Sequence, residues 1–272
     1  NNIAIGLNAS KETTSWAMNI AIGDFANFVN QLGNDIISIG DEAGRGTTGT
    51  SSSGNILVGA RTGKNIETGG NVAIGRDALA SRIYGANNIA IGDSAMQSGV
   101  GVDFAGFGSN NVAIGSNAGR TISSSRGNTF VGNEAGRGNT SGSFNSTLGY
   151  QSGQEMSSGN HNTLLGYGSG GQLSTGTSNV MVGSESGDRS TTGQNNVFLG
   201  RRAGYINTEG SNNIAIGSEA GVENRSGDNN IYLGKDAGRN VINGSNNIYI
   251  GTESGRDAAG NNQLIIGNNP DT

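Results

Sequence analysis

Acidic side chains recur along this chain at one spacing. Glu134, Glu185, Glu219, Asp236 and Glu253 each stand two residues after the glycine of an apolar-x-apolar-Gly tag. Two carboxylates that meet across a pocket can serve as acid and base in hydrolysis. Recurrence at the same place in successive units predicts instead a repeated, solvated turn. Histidine occurs once, as His161 between Asn160 and Asn162. A histidine-based triad or a multi-histidine metal site therefore lacks its components within one chain, and His161 reads as a polar turn residue. The segment Gly59-Ala60-Arg61-Thr62-Gly63-Lys64-Asn65 has the look of a phosphate loop. It is one residue short, and Asn65 stands where the hydroxyl residue belongs. The Gly-Gly-x-Gly-x-Asp calcium repeat does not occur in series. Asn-x-Ser/Thr occurs at Asn8, Asn139, Asn145 and Asn224, as chance provides in so Asn- and Ser-rich a chain. The expectation is a protein that is not an enzyme, with no catalytic residue, no metal and no cofactor.

The elements that would position any site are unusual. Gly makes up 50 of 272 residues, Pro occurs once and hydrophobic residues reach only 32%. Such a composition ordinarily marks disorder, and the absence of a Gly-x-y period excludes collagen. The net charge of −5 and the lack of any Lys/Arg cluster give no footprint for nucleic acid. No apolar run is long enough for membrane insertion. The absence of cysteine fits an extracellular protein built without disulfides. The first residues, Asn1-Asn2-Ile3-Ala4-Ile5-Gly6, already carry the tag, which points to a segment of a longer chain.

Order lies in the spacing. The tag glycines are Gly6, Gly23, Gly40, Gly59, Gly75, Gly92, Gly115, Gly132, Gly149, Gly166, Gly183, Gly200, Gly217, Gly234, Gly251 and Gly267, with every step from Gly115 to Gly251 equal to 17 residues. The repeat spans residues 1–272 as a single domain, with an insertion at 96–108 and a degenerate terminal coil at 262–272 that holds Pro270. This pattern predicts an all-β fold, a parallel β-solenoid or β-roll of about 16 coils, each contributing one short strand. The flanking pairs Ile3/Ile5, Ile20/Ile22, Val72/Ile74, Ile89/Ile91, Val197/Leu199 and Ile248/Ile250 are expected to fill a narrow lumen as an aliphatic ladder. The small residue three past each tag glycine (Ala118, Ala135, Ser152, Ser169, Ser186, Ala203, Ala220) would let the opposite wall approach. Asn111, Asn128, Asn145, Asn162, Asn179, Asn196, Asn213, Asn230 and Asn247 precede the strands, and stacked amides of this kind can hydrogen-bond along the column. Ligand contact is the other role open to them.

The middle strand position varies more: small at Ala4, Ala21, Ser38, Ala73, Ala90 and Ala113, then Phe130, Thr147, Leu164, Met181, Phe198, Ala215, Tyr232, Tyr249 and Ile265. If the flanking pair lines the lumen, this row faces outward. Phe130, Leu164, Met181, Phe198, Tyr232 and Tyr249 would then form an apolar surface that asks for a partner, a subunit interface between identical chains being the simplest. The opposite assignment of faces puts this row in the lumen.

Asn128-Thr129-Phe130-Val131-Gly132-Asn133-Glu134-Ala135-Gly136 resembles the Asn-Asn-x-x-Ile-Gly-x-x-Ala-Gly repeats of bacterial and phage tail-fibre-like proteins. Asn-Asn-Ile-Ala-Ile-Gly is similar to the head repeats of YadA-like trimeric autotransporter adhesins, whose period is shorter. The resemblance covers the whole chain. It implies a left-handed β-roll, a homotrimer and an extracellular fibre or cell-surface adhesin segment that bears receptor-binding surface. A cell-surface receptor, a glycan among the candidates, would be its partner. Loop aromatics that could contact such a ligand are Trp16, Phe25 and Phe28 near the start, and Phe104 and Phe107 in the insertion. Rival readings are an ice-binding solenoid, which needs a regular Thr ladder where this chain has only the short run Thr129, Thr147, Thr163, a polysaccharide-degrading tailspike, and a passive spacer.

Overall fold

The computed structural model describes residues 1–13, 17–29, 33–46, 52–80, 85–97 and 108–268. Among them are sixteen strands of three residues each and no helix. They fall in two compact units, Asn1–Ser141 and Gly142–Thr272. The first holds β1 (Ile3–Ile5), β2 (Ile20–Ile22), β3 (Ile37–Ile39), β4 (Ile56–Val58), β5 (Val72–Ile74), β6 (Ile89–Ile91), β7 (Val112–Ile114) and β8 (Thr129–Val131). The second holds β9 (Ser146–Leu148), β10 (Thr163–Leu165), β11 (Val180–Val182), β12 (Val197–Leu199), β13 (Ile214–Ile216), β14 (Ile231–Leu233), β15 (Ile248–Ile250) and β16 (Leu264–Ile266). Within each unit the strands pair in chain order, parallel and with equivalent residues opposite one another, as Val197 is to Ile214 and Phe198 to Ala215. Each unit is a parallel β-solenoid with one strand per coil.

A strand of three residues cannot persist alone. Here the coil-to-coil hydrogen bonding continues past it, around the corner and into the return. In the coil of β13, Gly217 N donates to Leu199 O at 2.8 Å, Glu219 N to Arg201 O at 2.9 Å, Gly221 N to Ala237 O at 2.9 Å and Asn212 N to Gln194 O at 2.9 Å. Pairing most of the backbone in this way lets a chain with little apolar surface meet its hydrogen-bonding needs.

One column of glycine is dictated by geometry throughout, and a second in most coils, Ser10, Asn27, Leu79 and Met96 taking its place in the others. The tag glycine that ends each strand has a φ only glycine adopts readily, +136° at Gly217, and a Cβ there would lie 2.4 Å from the carbonyl oxygen of Gly234 in the next coil. The glycine four residues on sits beneath the lumen side chains. At Gly204, with φ +59°, a Cβ would stand 2.5 Å from the Phe198 ring.

The lumen is lined by the middle strand residue, reversing the expected assignment of faces. Phe130, Leu164, Met181, Phe198, Tyr232 and Tyr249 are buried at 0–1% exposure. They form the core of the coils and are not available as a subunit interface. The flanking pairs, expected inside, face outward. The cause is the Asn that precedes most of the strands. Side chains alternate along extended chain, so Asn213 and Ala215 share one face and Ile214 and Ile216 the other. Asn213 is buried in a hydrogen-bonded column, and Ala215 goes inward with it. Small residues three past the tag glycine, such as Ala203 and Ala220, are fully buried and let the wall close in.

A second lumen row, from the return segment, lies seven residues past the tag glycine. Ile122, Met156, Leu173 and Val241 are buried there, as are Asn139, Ser190, Asn207 and Asn224. In several coils the two rows differ in size in opposite senses, Ala113 with Ile122 and Thr147 with Met156 against Phe130 with Asn139 and Met181 with Ser190, while Leu164 with Leu173 and Tyr232 with Val241 pair large with large.

Candidate functional site

The Asn column is structural throughout. Asn179 uses every hydrogen-bonding position of its amide. Nδ2 donates to Asn162 Oδ1 at 3.1 Å and to Gly193 O at 2.9 Å, while Oδ1 accepts Asn196 N at 3.0 Å and Asn196 Nδ2 at 3.1 Å. The same linkage joins Asn111 to Asn128 in the first unit, and Asn145 through Asn162, Asn196, Asn213 and Asn230 to Asn247 in the second, where Gln263 closes the column. Buried and committed to the column, these amides are not presented to a ligand.

The recurrent acidic residues stand at a corner position with left-handed backbone, φ 58° at Glu134, 56° at Glu185 and 59° at Glu219. They are less solvated than a free turn. Glu219 and Asp236 are only 9% and 5% exposed, because arginines of the same and neighbouring coils lie over them. Glu219 pairs with Arg201 and, at 2.8 Å, with Arg239, which also reaches Asp236 at 3.1 Å. Burial alone would raise the Glu219 pKa, but the Arg201 hydrogen bond and the guanidinium charges hold it below the ordinary carboxylate value. Glu134 pairs with Arg137 at 3.5 Å, Glu253 with Arg256 at 3.2 Å and Glu185 with Arg202 at 3.6 Å. His161 stacks on Phe144, centroids 5.2 Å apart.

Of the loop aromatics, Phe25 and Phe28 form an edge-to-face pair at 5.4 Å, with the Arg45 guanidinium over both rings. Partly buried and capped by a cation, they pack on their own coil. Trp16, Phe104 and Phe107 lie outside the described residues, as do most of the 96–108 insertion and Pro270.

What remains on the outside is aliphatic. The first and third residues of the strands make two columns along each unit: Val180, Val197, Ile214, Ile231 and Ile248 in one, and Leu148, Leu165, Val182, Leu199, Ile216, Leu233 and Ile250 in the other. In the first unit Ile39, Ile56, Ile74, Ile89 and Ile114 hold the equivalent outward positions, each 37–39% exposed. Thr129, Ser146 and Thr163 are the polar members, and Thr147, the remaining member of the short Thr run, is buried in the lumen. Parallel strands with aliphatic residues on both faces are normally covered on both faces. A continuous strip of this kind also exceeds the scattered apolar residues of ordinary surface. Sequence reasoning placed the wrong row on the outside, although the parity between the Asn and the middle residue was there to be used.

A second feature is a groove of about 250 Å³ at the corner that follows β9 to β12, lined by Gln151, Gln154, Glu155, Tyr167, Gly168, Gly171, Gln172, Glu185, Asp188 and Tyr205. No sequence-based expectation fell on it. Its signal is the pair Gly168 and Gly171, two and five past Gly166, where no other coil from Gly6 to Gly251 has glycine at either position.

No protein-family model and no curated protein sequence matches the chain.

Proposed function

We propose that the chain is a non-enzymatic structural segment of an extracellular homotrimeric fibre, of the tail-fibre or surface-adhesin kind, that carries receptor-binding surface. The observation that supports it is the outward aliphatic strip of each unit, a face suited to burial against its own equivalent in a second and third copy. Identical repeating chains present identical strips, so self-association is the simplest way to cover them. The number three, the left-handed coil and the extracellular setting follow the resemblance of the Asn-Asn-x-x-Ile-Gly repeat to fibre and adhesin repeats. The interface in this reading is made by residues such as Leu148, Leu165, Ile214 and Leu233, 36–51% exposed in the single chain, and not by the Phe130–Tyr249 row. An ice-binding role asks for an outward Thr ladder; the outward positions are mostly Ile, Val and Leu, and Thr147 points into the lumen.

Light scattering tests it. The wild-type chain should have the mass of three chains, and the double variant Leu165→Lys/Leu233→Lys, with a charge in each of two separated coils, should fall to one. A wild-type mass of one chain at all concentrations removes the trimeric reading.

A further inference from the structure

The groove beside β9–β12 is a departure from the repeat. At the two corner positions Gly168 and Gly171, neighbouring coils carry Gln151 and Glu185, and Gln154 and Asp188. Those side chains form the walls, and the double glycine forms the floor. Gly171 lies directly under Asp188: a Cβ there would be 2.3 Å from the Asp188 carboxylate oxygen. Nothing in the coil requires glycine at 168, because Gln151, Glu185 and Arg202 hold the same left-handed backbone, φ 56° in each, with side chains. The notch is therefore a feature of side-chain removal and not of backbone need.

The walls have a definite chemistry. Tyr150 and Tyr167 stack in parallel, centroids 5.8 Å apart and planes within 4°. Ser184 occupies the equivalent place in the next coil, so the second face of Tyr167, 51% exposed, has no ring on it. On the far side the Tyr205 ring is braced by Arg202, whose guanidinium carbon is 4.3 Å from its centroid. The rest of the lining is amide and carboxylate: Gln151, Gln154, Gln172, Glu155, Glu185 and Asp188. Burial, then the charge of Glu185, hold the Asp188 pKa above the ordinary value, with no hydrogen bond contributing to offset them. The acidic groups are not gathered as a metal site: no group of three or more His, Cys, Asp or Glu among the described residues could hold an ion.

From this geometry we infer that the groove is a binding site for a single sugar ring that carries no acidic group, neutral or amino-substituted. The C–H face of the ring lies on Tyr167, and its hydroxyl or amino hydrogens are given to the carboxylates and amides opposite. An aromatic platform facing a row of acceptors suits a flat amphipathic ring. At about 250 Å³ the groove falls below the roughly 300 Å³ at which drug-sized clefts begin, a size that suits one enclosed ring. The negative wall disfavours uronic and sialic acids. The site lies wholly within the second unit and does not require self-association.

Saturation-transfer NMR on the full chain tests it, with glucose, galactose, N-acetylglucosamine, glucosamine and glucuronate as probes and calcium chloride as the control titrant. At least one of the first four should bind with a millimolar Kd, and glucuronate at least about tenfold more weakly. Gly168→Gln restores the side chain that neighbouring coils carry, so it should stay folded by circular dichroism while weakening the sugar about tenfold or more; Tyr167→Ala should do the same. No transfer to any of the four sugars, undiminished binding by Gly168→Gln, or a response to calcium alone overturns the assignment.

Discussion

Replacing Asn196 by Ala tests the hydrogen-bonded column at its best-defined link. In the wild type, Asn196 Nδ2 donates to Asn179 Oδ1 at 3.1 Å and to Gly210 O at 2.8 Å, and its Oδ1 accepts Asn213 N at 2.9 Å. The three lost bonds are not equal. Asn179 Oδ1 still accepts the Asn196 backbone N at 3.0 Å, and Gly210 O still accepts Asn207 Nδ2 at 2.6 Å. Asn213 N–H has no second acceptor and is left buried and unpaired. An orphaned buried donor costs about 1–3 kcal/mol, and each lost but replaceable bond about 0.5–1.5 kcal/mol. A total of about 2–6 kcal/mol follows, with part of the loss confined to the coils of β12 and β13 because solenoid stability is local. Urea denaturation gives the total, and amide exchange gives the location: Asn213 N–H should lose protection while amides of the first unit keep theirs. A loss below about 0.5 kcal/mol with unchanged protection at Asn213 would refute the reasoning, because the column would then be decoration on a stable coil.

The lumen supplies a paired prediction. The Tyr232 hydroxyl is buried with no hydrogen-bond partner, whereas Tyr249 donates its hydroxyl to Gln263 Oε1. Tyr232→Phe should therefore be neutral or raise stability by about 1 kcal/mol, and Tyr249→Phe should lower it by a similar amount, both read from urea midpoints. Gly204→Ala forces a Cβ against the Phe198 ring at a φ of +59°; overpacking and left-handed strain together should cost about 2–4 kcal/mol in the same assay. Asp188 has a folded pKa above its unfolded value, owing first to burial. Its contribution is favourable below the unfolded pKa and is lost as pH rises through the folded one. The melting temperature of Asp188→Asn should thus exceed that of the wild type at neutral pH, the gap closing at about pH 3.

Much of this fold is legible from spacing alone. The tag glycines locate all sixteen strands, because only glycine allows one coil's backbone to lie on the next at that turn, so the period cannot drift. The Asn column was legible for a similar reason: an amide that bonds its own copy in the next coil must recur in register. The face assignment failed because an Ile-Ala-Ile strand is apolar on both sides, and the bulkier pair looks like the core. Two signals resolve it. The Asn shares its face with the middle residue, and a residue seven past the tag glycine, such as Ile122, Met156 or Leu173, supplies a second apolar row to pack against it. The carboxylate pairing was not legible, since it depends on arginines up to 20 residues away, as for Arg239 and Glu219. The groove was legible in principle, in the one coil whose corner has glycine at both open positions.

The inward middle row underlies both the lumen and the exposed aliphatic strip, and thiol labelling tests it most directly. The chain has no cysteine, so Ile214→Cys and Ala215→Cys can each be introduced alone, in the dispersed Leu165→Lys/Leu233→Lys background. The Ile214→Cys protein should react readily with a maleimide, and the Ala215→Cys protein should stay protected until it is unfolded. Rapid labelling of Ala215→Cys with protection of Ile214→Cys would contradict the account, returning the flanking pair to the lumen and removing the strip on which self-association rests.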